Sequence, residues 1–251
     1  MSGHSKWSTI KRKKGATDAK RGAVFTRMAK EVALAAREGG GDTETNFKLR
    51  LAVDKAKAAN MPKDNIERAI KRGSGEDKEG VFFEEVFYEG YASHGVALMI
   101  ECVTDNRNRA VADIRHVLNR FGGSMGESGS VAWQFSRVCY FAFPANDLNE
   151  DQIFELAIEG GADDVTFDEN MVEIAGPVEA FKTISDQLRL AQIQTEEAGL
   201  RMMPNQELEL NIVDTLKVMK VIDALEELDD VQNLYSNMAI TNEVLANLEA
   251  E

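Results

Sequence analysis

The chain has 251 residues, 43% of them hydrophobic, enough apolar side chain for real cores, which excludes a disordered protein. No run of about 18 uncharged apolar residues occurs, which excludes a membrane-spanning helix. The net charge of −14 conceals a split: residues 1–75 hold 18 Lys+Arg against 8 Asp+Glu, and the rest hold 11 against 35, which excludes one uniform surface and assigns the two parts different partners.

Residues 1–15 show no helical apolar stripe and read as a basic arm, expected to be disordered when free. The arm lacks the apolar stretch of a secretory signal, as expected of a cytoplasmic protein. Three helices follow. The first opens at Thr17-Asp18 and stops at Gly39-Gly40-Gly41, with Val24, Phe25, Met28, Val32, Ala35 and Ala36 on one face. Lys20, Arg27, Lys30 and Arg37 fall roughly opposite that face. The second helix runs from about Asn46 to Asn60. The third opens near Pro62-Lys63-Asp64 and ends at Gly73, with Arg68, Lys71 and Arg72 on its outer side. The expected product is a small bundle with its positive charge outside.

Past the hinge Gly73-Ser74-Gly75 the pattern changes. Val81 to Glu89 reads as a strand, Val96 to Val103 as a more fully buried one, and Asp105 as the cap of a helix lined by Ala110, Val111, Ile114, Leu118 and Phe121. A Gly/Ser-rich loop, 122–130, leads to a third strand at Val131–Phe135. Residues 138–210 then read strand, helix, strand, strand, helix, strand, the ferredoxin-like order. A helix carrying Leu216, Met219, Ile222, Leu225 and Leu228 and a strand near Val231–Tyr235 complete the earlier unit. The predicted fold class is α+β: a basic helical domain with its arm (1–77), a discontinuous α/β domain (78–137 plus 211–251) and a ferredoxin-like acidic domain inserted into it (138–210).

The arm is the sharpest chemical signal. His4, Lys6, Trp7, Lys11, Arg12, Lys13 and Lys14 lie within fourteen residues. Lysines and arginines displace condensed counterions from a phosphate backbone, and a tryptophan among them offers a flat surface to an unpaired base. A solvated tail whose tryptophan packs on the bundle is the plainer alternative. A second cluster, Arg107, Arg109, Arg115 and Arg120, holds four of the eleven later cations on one helix. It reads as ordinary helix-surface charge or as a second phosphate contact. The loop Gly122–Ser130 could offer backbone N–H groups to an anion, but it precedes a strand, and a connecting turn is the simpler reading. Cys102 and Cys139 read as reduced core residues. His4, His94 and His116 have no metal-ligand spacing, and a Cys102–His94 or Cys102–His116 dyad is the weaker reading. Pairs such as Asp163-Asp164 and Asp229-Asp230 read as solvated carboxylates, since acids abound.

The blocks Gly3-His4-Ser5-Lys6-Trp7, Asp18-Ala19-Lys20-Arg21-Gly22, Gly39-Gly40-Gly41-Asp42, Ala56 to Met61, Tyr88-Glu89-Gly90-Tyr91, Thr104 to Arg109 and Gly122 to Trp133 together resemble the YebC/PmpR family. The resemblance covers essentially the whole chain; in the last inserted part it rests on pattern and acidity. It implies a three-domain, cytoplasmic, DNA-binding transcriptional regulator without catalytic activity. It also implies a rival role, because relatives that include a mitochondrial translational activator work with ribosomes and difficult stretches such as proline runs. No helix aims Asn, Gln or Arg recognisably at base edges, which favours backbone or RNA-shape binding. The candidate contacts are His4, Lys6, Trp7, Lys11, Arg12, Lys13, Lys14, Lys20, Arg21, Arg27, Lys30, Arg68, Lys71, Arg72, Arg107 and Arg109. Expected partners are DNA or ribosomal RNA, with basic proteins on the acidic domains. No enzyme activity, cofactor, metal or membrane is expected, and a monomer is favoured.

Overall fold

The computed structural model describes residues 7, 18–75, 82–145, 148–168 and 171–250, with backbone alone for 18–21 and 249–250. Three helices come first: α1 (Asp18–Gly39), α2 (Phe47–Ala58) and α3 (Lys63–Ser74). Asn46 caps α2 by accepting from the Leu49 N–H, and Gly75 ends α3 in the left-handed conformation that glycine enters at little cost. Val32, Ala35, Ala36, Leu49, Ala52, Val53, Ala56, Ile66 and Ala69 form the bundle core. The small residues let the helices approach closely. At Gly73 a side chain would collide with the Ala33 carbonyl of α1, so only glycine fits there.

Two four-stranded antiparallel sheets follow. β1 (Glu84–Tyr91), β2 (Ala97–Thr104), α4 (Arg107–Arg120) and β3 (Ser124–Met125) begin the first. The chain then builds β4 (Phe135–Pro144), α5 (Glu150–Glu159), β5 (Asp164–Phe167), β6 (Met171–Pro177), α6 (Phe181–Leu190) and β7 (Glu197–Pro204). It returns through α7 (Ile212–Glu226), β8 (Val231–Ser236) and α8 (Asn242–Ala250). The strand orders are β3-β1-β2-β8 and β5-β6-β4-β7. The molecule is thus α+β, with N-terminal helices and two sheet-containing domains.

β2 explains why its sequence is an almost unbroken apolar run. Leu98, Ile100 and Cys102 face α4 and α7, in a core with Ile114, Leu118, Val218, Ile222 and Leu225. The alternate residues Ala97, Met99 and Val103 are also buried, against Val131 and Phe135 or against Ala33 and Leu34 of α1. A strand covered on both faces loses the apolar–polar alternation. The second sheet buries Phe141, Phe143, Val172 and Ile174 against Ile153, Ala157, Ile184 and Leu188 of its two helices.

The expected strand at Val131–Phe135 is not one. Residues Ala132–Gln134 form a single 3₁₀ turn, and the strand paired with β1 is Ser124–Met125. The Val131 and Ala132 N–H groups bond the Glu89 carboxylate and leave none for a ladder. The cap of α4 is Asn106, one residue after the expected Asp105. α8 was not anticipated; it adds Val244 and Leu245 to the first sheet's core.

Candidate nucleic-acid interface

The cations of α1 do not face solvent as a row. Arg27, Lys30, Leu34 and Arg37 follow one another at spacings of three or four residues, and this stripe meets the first sheet domain. The Lys30 ammonium is buried and donates to Asp230 Oδ1 at 2.7 Å and to the Asp229 carbonyl at 2.8 Å. Arg27 donates to the Glu226 carbonyl at 2.6 Å, at the C-terminal end of α7 where the helix dipole is negative. Arg37 donates to the Phe83 carbonyl at 2.8 Å, its guanidinium lying 4.9 Å from the Phe82 ring centre. The physical reason is a second apolar side on α1. Ala33 and Leu34 pack on Phe83 and Val103 while Val32, Ala35 and Ala36 pack in the bundle. A helix apolar on two sides is sandwiched, and its polar stripe lies beside the joint.

Asp230 is the centre of this joint. Only 6% exposed, it takes Lys30 on one side and Arg109 on the other, with Arg109 Nε at 3.0 Å and Nη2 at 2.8 Å. Arg109 also reaches Asp105 at 2.7 Å, and this bond is the main cause holding the Asp105 carboxyl below its usual range. The reading of Asp229-Asp230 as solvated carboxylates is therefore wrong for Asp230. Arg107 is likewise engaged. Its Nε donates to Glu84 Oε1 at 2.7 Å and its Nη2 to the other oxygen, which lowers the Glu84 pKa. Both arginines remain substantially exposed, at 62% for Arg107 and 45% for Arg109, but each forms its fork with an acid of its own domain.

α3 differs. Arg68, Lys71 and Arg72 are exposed, and among the described residues none forms an ion pair. Arg68 and Arg72 line a groove of about 360 Å³ between α1 and α3, with Phe25, Thr26, Asn65 and Met61. Lys71 and Arg72 occupy the last turn, where cations suit the helix dipole. The Gly73–Ala33 contact holds that turn against α1.

Of the arm, His4, Lys6, Lys11, Arg12, Lys13 and Lys14 lie outside the described residues, as do the side chains of Lys20 and Arg21. Trp7 is described. Its half-buried indole packs on the core of the first sheet domain rather than on the bundle, and with Tyr140, Arg201, Ile222 and Leu234 it lines a small pocket where the two sheet domains meet.

The Gly/Ser-rich loop does hold an anion, but the anion is Glu89. Its carboxylate accepts from Gly129 at 2.6 Å, Val131 at 2.6 Å and Ala132 at 2.9 Å. Burial opposes ionisation of Glu89, yet the three N–H bonds prevail and lower its pKa. No free nest remains at those three groups for a phosphate.

A cleft of about 440 Å³ lies where the helices and both sheet domains meet, lined by Phe47, Lys55, Glu101, Phe181 and Arg201 among others. Several of its charges are satisfied internally. Lys55 meets Glu31 at 3.1 Å, and Glu101 accepts from Tyr235 at 3.0 Å and Asn233 at 3.1 Å. Cys102 is fully buried; burial, then Asp230 and Glu101, push its thiol up to about 12, which removes it as a nucleophile. Among the described residues no group of three His, Cys, Asp or Glu is placed to hold a metal ion, and no helix is long and apolar enough to cross a membrane.

Comparison with known proteins fits this geometry. A family model described as "TACO1/YebC protein N-terminal domain" matches residues 5–76, and one described as "TACO1/YebC second and third domain" matches residues 83–238. A protein of Nitrosococcus oceani named "Probable transcriptional regulatory protein" is 51% identical over 249 residues, covering 99% of this chain and 100% of its own. One of the same name from Rubrobacter xylanophilus is 50% identical over 246 residues, covering 98% of each. The crystal structure of a conserved hypothetical protein, Aq1575, from Aquifex aeolicus superposes with a TM-score of 0.82 at 43% identity, over 91% of this chain and 94% of that one.

Proposed function

The chain belongs to the TACO1/YebC family, and from that premise we propose that it is a non-enzymatic, cytoplasmic regulator of gene expression that binds nucleic acid through its N-terminal domain. The observation that carries this reading is the open cation row of α3. Arg68, Lys71 and Arg72 have no acidic neighbour in ion-pair range among the described residues, in a protein whose net charge is −14. The arm would extend the same surface. The finer architecture belongs to the same proposal: residues 138–210 form a ferredoxin-like domain inserted into a middle domain of 78–137 plus 211–251, a reading supported by the strand order β5-β6-β4-β7.

The relatives are named for transcriptional regulation, from which we read DNA as the polyanion. A ribosomal-RNA and translation reading stands beside it for one reason. Arg68, Lys71 and Arg72 suit phosphate contacts, which the backbone of RNA offers as well as that of DNA, and they read bases only if α3 enters a groove. One experiment tests the proposal and divides the readings. The salt dependence of binding is measured for duplex DNA and for structured RNA, with wild type and with an Arg68→Ala/Lys71→Ala/Arg72→Ala variant. The logarithmic salt slope is expected to fall by about 2–3 in the variant, at roughly 0.7–0.9 per lost phosphate contact. An unchanged slope sinks the assignment to α3. Preference for a particular duplex sequence at physiological salt favours transcription; tighter binding to RNA favours translation.

A further inference from the structure

Helix α5 presents a face that nothing in the described protein covers. Ile153 and Ala157 are buried against the second sheet, which turns the opposite side outward. Phe154 and Ile158, one turn apart on that side, are 51% and 46% exposed. Beside them Asp151, Glu155 and Glu159 stand four residues apart, with Glu150 at the helix start. All four carboxylates are exposed, and none forms an ion pair among the described residues.

This is not the charge pattern of an ordinary solvent-facing helix. Other helices of the same molecule pair their charges within a turn: Lys57 with Asp54, Lys63 with Glu67, Arg189 with Asp186 and Lys217 with Asp214. α5 contains no Lys or Arg at all. The dipole suits Glu150 and Asp151 in the first turn, but like charges four residues apart weaken a helix, and Glu159 in the last turn opposes the dipole. Two exposed large apolar side chains lie along that row of acids. Both features are unfavourable in the free protein, and both are relieved by one kind of occupant.

We propose that the outer face of α5 docks a basic amphipathic segment of a protein partner. Large apolar side chains of that segment cover Phe154 and Ile158, and its Lys or Arg residues meet the carboxylates of Asp151, Glu155 and Glu159. Nucleic acid is repelled here, because residues 138–210 carry 16 Asp+Glu against 3 Lys+Arg. A symmetric contact between two copies would set one carboxylate row against the other. The occupant is therefore a distinct, cationic protein. With polyanion bound at α3, this face would let the chain bridge a nucleic acid and a basic protein.

The test uses the full chain, labelled for NMR and titrated with a synthetic amphipathic Lys/Leu peptide and, separately, with oligolysine of equal charge. The amphipathic peptide is expected to perturb α5 resonances and to weaken with salt. Phe154→Ser/Ile158→Ser is expected to lower its affinity about tenfold or more, as loss of buried apolar anchors does. Oligolysine is expected to bind at least about tenfold more weakly than the amphipathic peptide. Because both residues are solvent-facing, the variant should keep its urea midpoint, which separates lost docking from lost folding. The proposal is overturned if oligolysine binds as well as the amphipathic peptide, or if the serine variant binds it unchanged. Perturbations that map elsewhere, or wild-type dimerisation abolished by the serine variant, overturn it too. None of these outcomes depends on the nucleic-acid reading, which the salt slopes at α3 decide separately.

Discussion

Helices α1 and α3 belong to one bundle and carry similar cations, yet their charges have opposite fates. Arg27, Lys30 and Arg37 of α1 donate to groups of the neighbouring sheet domain. Arg68, Lys71 and Arg72 of α3 form no ion pair among the described residues. The difference lies in the apolar sides. α1 has two, one for the bundle and one for Phe83 and Val103, so its polar stripe borders a joint. α3 buries Ile66 and Ala69 on one side and leaves the rest to solvent. Positive charge in a sequence therefore does not announce its destination. Part of the surplus of the N-terminal domain binds its own acidic partner, and only the remainder can meet a polyanion.

The comparison breaks most sharply at Asp230. Asp230→Ala leaves the buried Lys30 ammonium without its carboxylate and frees one fork of Arg109. Removing one partner of a buried pair costs about 3–5 kcal/mol, because a charge stays buried without compensation. Arg68→Ala should change stability by no more than about 0.5 kcal/mol. Lys30→Met, which keeps the stem and removes the charge, should cost clearly less than Asp230→Ala, since Asp230 keeps Arg109. Urea unfolding of the three variants checks the order. Equal effects at Asp230 and Arg68 would mean that the joint is no more than a surface contact.

Glu89 provides the anionic counterpart of the captured row. Glu89→Gln replaces an acceptor of three backbone N–H bonds by a group with one good acceptor and two unwanted donors. A cost of about 1–3 kcal/mol at neutral pH is expected. The sign with pH follows from its lowered pKa. The stabilisation is present above the ordinary carboxylate range and is lost as pH falls through the depressed folded value. Wild type and variant should therefore converge in acid, seen as unfolding midpoints across pH. A pH-independent difference would mean that packing, not the captured charge, holds the loop.

Local signals in the sequence placed most elements well. Helical spacing, Asn46, Pro62 and the Gly39–Gly41 stop set the three helices within a few residues, and the almost unbroken apolar run at 96–103 marked a more fully buried strand. The functional surface was less legible. The wheel of α1 recognised one apolar face and read everything opposite as solvent, although Ala33 and Leu34 formed a second face. Asp230 carries no local mark among 43 acids, and its partner Lys30 is 200 residues away. The run Val131–Phe135 has the composition of a strand, but a carboxylate on β1 takes the N–H groups of Val131 and Ala132. Each of these three misses involves a partner distant in sequence. Phe154 and Ile158 do carry a local signal, since α5 pairs apolar residues on both sides and contains no cation.

Among the captured carboxylates the smallest effect is expected at Glu101, on the face of β2 that looks towards α1 and the cleft. Burial is the main cause raising its pKa, against the bonds from Asn233 and Tyr235 that favour the carboxylate. A raised folded value reverses the sign found at Glu89. The contribution is fully present below the unfolded carboxylate value and disappears as pH rises through the folded one. Above the folded value the ionised Glu101 therefore weakens the fold. Glu101→Gln keeps an acceptor for the Tyr235 hydroxyl and the Asn233 amide while removing the charge. The variant should match wild type in acid and exceed it, by under about 1 kcal/mol, once pH has risen through the folded value, read from the same urea series. Arg68→Ala on the open row, with no carboxylate partner, should show a flat difference over that range. If Glu101→Gln is flat as well, the cleft is wet enough to solvate its charges. The contrast between a captured and an open region would then narrow to the Asp230 joint alone.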